Sequence, residues 1–239
     1  MAPTYERTRA WQTALAPRAD DPDERPRDRL RVAFRSMRDK AATLAGEIAR
    51  DLPDYTVHDV THLDALWELV DLIGGEDLTL NPCEIFVLGG ALLTHDLGMT
   101  AAAYPGGRDE LRAQERWRDT VARLMRREGL VHRPNQAPPE DVAARADREV
   151  LRLLHADKAR EIPKQRWTDR QGRDVRFMED DDLRERFGPL IGEHDGDEVD
   201  AHHDVLAGRD HRAPVGRAED VVRAEHQHVC FRLCLNRQR

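Results

Sequence analysis

Aromatic residues make up only 5% of this 239-residue chain, and cysteine occurs three times, at Cys83, Cys230 and Cys234. So few cysteines exclude the disulfide framework of a small secreted scaffold and fit a reducing compartment, which makes the cytoplasm the expected location. Basic residues are outnumbered, with 38 Lys and Arg against 46 Asp and Glu and a formal net charge of -8. A dedicated nucleic-acid binder needs a basic face that neutralises phosphates, so the balance argues against one. The first residues contain no apolar signal core, and no run approaches the roughly 18 apolar residues that span a bilayer. Walker-type glycine loops, a Gly-x-Ser-x-Gly elbow and a His-Glu-x-x-His pair are absent as well.

What remains is a polar, foldable chain, 35% charged and 39% hydrophobic, of a length that suits one domain with tails. Residues 1–28, rich in Pro, Arg and Asp, read as a flexible polar lead-in that buries little. Residues 29–192 read as the domain, and 193–239 as its poorly patterned C-terminal part. From Leu30 the apolar residues Phe34, Met37, Ala41, Leu44, Ile48 and Leu52 recur every three or four positions, one stripe along a helix that Pro53 ends. Thr56 is the expected N-cap of the next helix, whose buried stripe is Val60, Leu63, Leu66, Trp67, Val70 and Ile73 and which Gly74 and Gly75 close.

Asn81 and Pro82 form a start signal, with Glu84 near the positive end of the helix dipole. The run IFVLGGALLTHDLG is apolar on nearly every side, so this helix is expected at the centre, with Cys83 as a small buried residue. Residues 101–109 read as a loop, Leu111, Val121, Leu124 and Met125 as a charged surface helix, and Glu140 to Ile162 as another helix that Pro163 ends. A short amphipathic stretch follows around Leu183, Phe187, Leu190 and Ile191, with the acidic run Glu179 to Asp182 as a solvated helix start. No alternation of period two is long enough to demand a sheet, and the reading is an all-α bundle without internal repeats.

Three places carry chemistry. His95-Asp96 ends the most apolar helix in the chain, and a carboxylate there costs several kcal/mol, about the desolvation penalty of a buried charge, unless a cation or hydrogen bonds compensate. It is either a metal-binding dyad or a polar helix end facing water. In HDVTH, His58 and His62 lie four apart and are expected to share a helical face, His62 beside the buried stripe and His58 in the first turn towards solvent. His155, in VLRLLHADKAREI, follows Leu151 and Leu154 on an apolar face and is either a ligand or a core histidine.

Together, YTVHDVTHLDAL, ALLTHDLGM, VLRLLHADKAREI and IGEHDGDEV resemble the motifs of HD-domain metal-dependent phosphohydrolases, all-α proteins, and are most similar to bacterial variants sometimes fused to GHKL-type ATPase modules. The resemblance implies an HD-domain-like helical bundle and a metal set of His62, His95, Asp96, His155 and His194. Asp96 would bridge two ions, with His62 and His95 on the first and His155 and His194 on the second. His58 and Lys158, each one turn from a ligand, would orient or neutralise substrate phosphate.

Imidazole and carboxylate donors favour Mn²⁺, Fe²⁺, Co²⁺ or Ni²⁺, with Mg²⁺ or Zn²⁺ also admitted. One or two such ions would activate water against a phosphate ester, and the expected partner is a phosphorylated small molecule or nucleotide, with an ATPase module as a partner or fusion in relatives. The alternative is a catalytically inactive HD-type module that senses a nucleotide or binds a partner.

The chain departs from the family at its end. The late Arg-Leu-x-Asp segment has its nearest match in FRLCLN, where Leu235 takes the Asp position. A degenerate site, a truncated or frame-shifted end, and a substitute ligand such as Asp195, Asp197 or Asp204 all account for that. Six of the eleven histidines fall after Leu190, and among them HQHVCFRLC crowds His226, His228, Cys230 and Cys234 too closely to match a structural zinc template.

Overall fold

A computed structural model describes residues 4–55, 58–131, 136–168 and 174–193 of the chain. Helices dominate: α1 Arg9–Ala14, α2 Glu24–Asp51, α3 Val60–Gly74, α4 Pro82–Thr94, α5 Gly107–Ala113, α6 Glu115–Arg127, α7 Glu140–Glu161 and α8 Asp181–Gly192. The all-α expectation holds, with one addition. Arg166–Thr168 (β1) and Asp174–Arg176 (β2) pair antiparallel, Trp167 opposite Val175, as a ribbon too short for an alternation signal to mark it. Among the described residues no helix is long and apolar enough to cross a membrane.

The apolar helix α4 sits at the centre, against α1, α2, α3 and α8. Its start is the capping box that Asn81 and Glu84 announce: the Asn81 side chain accepts from the amides of Cys83 and Glu84, and Glu84 reaches back to the amide of Asn81. Cys83 is exposed there, which corrects the expectation of burial, because the first turn stands clear of the bundle. Further along, Gly89 lets α2 and α3 close in. A Cβ on it would lie 2.6 Å from both the Phe34 and Trp67 rings.

The largest correction is at the N-terminus. The segment expected to bury little instead sends Tyr5, Trp11, Ala14 and Leu15 into the core. Tyr5, Trp11, Phe34 and Trp67 form a cluster of rings, with Trp11 at 4.9 Å from Tyr5, 5.1 Å from Phe34 and 5.6 Å from Trp67 between centroids. Each such contact adds roughly 0.5–1.5 kcal/mol beyond area burial. Polar groups fix the segment too: the Asp71 carboxylate on α3 accepts from the amides of Arg9 and Ala10 at 2.5 and 2.8 Å, which satisfies the first turn of α1. The Arg27 and Arg31 guanidiniums donate to the carbonyls of Ala14 and Leu15. Composition hid this, since two aromatic residues among many charges carry the burial.

Boundaries elsewhere follow the sequence signals closely. Helix α3 starts at Asp59 and not at Thr56, which lies outside the described residues; the Asp59 carboxylate accepts from the amides of Thr61 and His62. The single surface helix expected after residue 109 is two helices, broken at Gln114. Leu44, Val60 and Ile73, assigned to buried stripes, are only partly buried or exposed. Trp11→Ala should cost about 3–5 kcal/mol, as large aromatic truncations in cores do, read as a lowered denaturation midpoint; a loss under about 1 kcal/mol would show that the N-terminal segment is not part of the folding unit.

Candidate metal centre

The end of α4 and the start of α3 meet at one carboxylate oxygen. His95 closes α4, and Asp96 opens the 3-10 turn Leu97–Met99. The Asp96 Oδ2 atom lies 2.7 Å from His95 Nε2, 3.5 Å from His62 Nε2 and 3.7 Å from His58 Nε2. Two donors each about 2.1 Å from one ion stand no more than about 4.2 Å apart, so all three separations suit a shared cation. His62, His95 and Asp96 each offer a donor atom within 4.8 Å of the others, and this is the one such trio among the described residues.

Local structure sets each side chain. His62 is in the first turn of α3, where the Asp59 cap holds its amide. His95 Nδ1 is 2.8 Å from the Leu92 carbonyl, which can only accept, so Nδ1 carries the hydrogen and Nε2 is turned to Asp96. A ring nitrogen and a carboxylate oxygen at 2.7 Å need a positive charge between them, a proton or a metal ion, and a backbone carbonyl on the far nitrogen is the usual support of a ligating histidine. The negative end of the α4 dipole points to the same place. Burial alone would push the Asp96 carboxyl up, but the charge of His95, hydrogen bonds from His62 and His95, and His58 nearby hold it well below the usual carboxylate range. The four side chains are 13–17% exposed, sheltered but open to a ligand from solvent.

His58 corrects one expectation. It precedes the cap and is not in the first helical turn, yet its ring packs at 5.3 Å from that of His62 and faces Asp96, not open solvent. His155 stands apart from the trio. Its Nδ1 donates to the Arg152 carbonyl at 2.6 Å, and its backbone presses on the turn after Asp96. Lys158 is buried and not solvated: Nζ reaches Glu161 at 2.8 Å and Glu110 at 3.4 Å and lies over the Tyr104 ring. His194, the substitute ligands Asp195, Asp197 and Asp204, and the tail donors His226, His228, Cys230 and Cys234 lie outside the described residues.

Against this geometry, a family model named HD-CE matches residues 52–226. The chain belongs to the HD-CE family. The matched range holds the whole His-Asp cluster within an HD-type domain. No curated protein and no solved structure matches the chain.

Two supports of this HD-CE site carry no sequence signal. Asp51, at the end of α2, accepts from the Thr100 hydroxyl at 2.7 Å, the Ala101 amide at 2.8 Å and Arg108 at 2.8 Å, and so ties down the chain that leaves the His-Asp doublet. Burial pushes its carboxyl up, but the Thr100, Arg108 and Ala101 hydrogen bonds outweigh that and leave it below its ordinary value. Gly98 is the second: a Cβ there would lie 2.3 Å from the His155 carbonyl oxygen, so only glycine lets α7 approach the turn.

Two outcomes follow. Gly98→Ala should force α7 off the turn, with a loss of about 1–3 kcal/mol in denaturant unfolding; unchanged stability would refute the contact. A carboxyl lowered in the folded state contributes stability that is full above the unfolded value of about 3.9 and is lost as pH falls through the lower folded value. The stability gap between wild type and Asp51→Asn should therefore shrink as pH is taken from 7 to about 3, and a gap independent of pH would count against these bonds.

Proposed function

We propose that the protein is a metal-dependent phosphohydrolase that cleaves a phosphate ester, foremost of a nucleotide. The observation that carries this is the convergence of the His58, His62 and His95 Nε2 atoms within 3.7 Å of one Asp96 oxygen. His62, His95 and Asp96 would hold a divalent ion, of which Mn²⁺, Fe²⁺, Co²⁺ and Ni²⁺ suit the donors best and Mg²⁺ or Zn²⁺ are also admitted. When bound, such an ion lowers the pKa of a coordinated water and polarises a phosphoryl oxygen.

The chain's own part is positional. Leu92 sets the His95 tautomer, Asp59 sets the turn that carries His62, and Asp96 stays ionised between them. His58, outside the helix and beside Asp96, would hold a phosphoryl oxygen of the substrate. His155 and His194 are the donors we assign to a second ion, and cytoplasmic location and an ATPase-module partner complete the reading.

One observation favours a second reading, a catalytically inactive HD-type module that senses a nucleotide or binds a partner. Lys158, the expected phosphate cation, is committed to Glu161 and Glu110.

Purified protein should retain transition metal in near-stoichiometric amount by elemental analysis, and Asp96→Ala should lose it. With Mn²⁺, Co²⁺ or Ni²⁺ the wild type should turn over bis(p-nitrophenyl) phosphate or a nucleotide, and Asp96→Ala should lower the rate at least about 100-fold, the scale of losing a positioned catalytic group. Metal retention without turnover would leave the inactive module; no metal in the wild type would end the phosphohydrolase reading.

A further inference from the structure

A cleft of about 110 Å³ lies between the end of α2, the start of α5 and the middle of α7, and its lining includes Arg50, Arg108 and Arg148. Its two carboxylates are already committed. Asp51 accepts from Thr100, Ala101 and Arg108, and Asp147 accepts from Arg112 and from the Trp117 indole at 2.8 Å. Arg50 bonds Glu47 from the surface and is 67% exposed, so its outer donors face solvent. Arg148 pairs with no carboxylate among the described residues. Arg108 gives one N–H to Asp51 and, 55% exposed, keeps its other donors. The cleft thus has one guanidinium without a carboxylate partner and two with donors to spare, around acids that are spent; that makes an anion site, and the planar fork of arginine suits phosphate oxygens in particular.

The cleft and the His-Asp centre share α7, which packs on the turn Leu97–Met99 that follows Asp96. Arg148, Arg152 and His155 are spaced four and three apart, on one face of that helix. Arg152 is held in place, its guanidinium 4.8 Å over the Tyr55 ring and donating to the Tyr55 hydroxyl at 3.1 Å. Leu151, also in the cleft wall, is one turn before His155, and Ala101, in the opposite wall, follows the turn that Asp96 opens. At about 110 Å³ the cleft is well below the roughly 300 Å³ and more of a small-molecule pocket, so it takes a phosphate group and not a whole nucleotide.

We propose that Arg50, Arg108 and Arg148 seat a remote phosphate of an oligophosphate chain, whose other end runs along Arg152 to the His-Asp centre. The site's substrate class is then a molecule with two or more linked phosphates, in preference to a simple monoester. This rests on the phosphohydrolase reading and adds the substrate class to it.

The test is binding of inorganic tripolyphosphate and orthophosphate to the full chain in chelator, by calorimetry, so that no metal contributes. Tripolyphosphate should bind at least about tenfold tighter than orthophosphate, and Arg148→Ala, alone or with Arg50→Ala, should remove about tenfold or more of that affinity, the scale of a charge-assisted hydrogen bond. Arg50 is exposed and Arg148 half-buried, and an unchanged circular dichroism melt shows that the variants fold. ATP or GTP binding tighter than tripolyphosphate would assign the chain to a nucleotide, and equal binding would assign it to inorganic polyphosphate; either supports the seat. Tripolyphosphate binding that is no tighter than orthophosphate, or that ignores both substitutions, overturns it. Metal content of the same variants separates the readings: retained metal with no arginine dependence ends this inference alone, whereas arginine-dependent binding in a protein that never holds metal ends the phosphohydrolase reading and leaves the seat.

Discussion

A single carboxylate at the end of an apolar helix organises this protein. Asp96 is withdrawn from water at the close of α4, a helix whose other residues are nearly all apolar, and an ionised group so placed must be matched by positive charge or directed hydrogen bonds. The chain meets that demand with imidazoles from two directions. The rest of the bundle can be read as the apparatus that keeps them there: the Asp59 cap under His62, the Leu92 carbonyl behind His95, and the Asp51 clamp on the chain beyond.

Much of this was visible in the order of residues. The helix start at Asn81, the glycine stop at Gly75 and the proline stop after Ile162 are local devices, fixed by neighbours within a turn, and each fell where the pattern put it. The His62, His95 and Asp96 trio was legible through the resemblance of its motifs to HD-domain proteins, since the residues alone left the doublet open between a metal dyad and a polar helix end. His58 was half legible, since the choice between Thr56 and Asp59 as cap decided whether it belonged to the helix, and both residue types cap well.

What escaped was long-range. Tyr5 and Trp11 are isolated among charged residues, and no window average reveals that they share a cluster with Phe34 and Trp67. Asp51 looks like any acid near a helix end until Thr100 and Arg108 are brought to it from some fifty residues on. The burial of Lys158 escaped for the same reason, because one of its partners, Glu110, is on α5. Contacts of this kind depend on topology, which local periodicity does not carry.

The bare backbone at Gly89 has a genealogical consequence. Because Phe34 and Trp67 occupy the volume that a side chain there would need, the three positions are one steric unit drawn from three helices. Lineages of this fold can therefore exchange bulk among them only in concert: a methyl gained on the central helix must be answered by a trimmed ring on a neighbour, so their histories should be correlated even where the surrounding sequence has drifted.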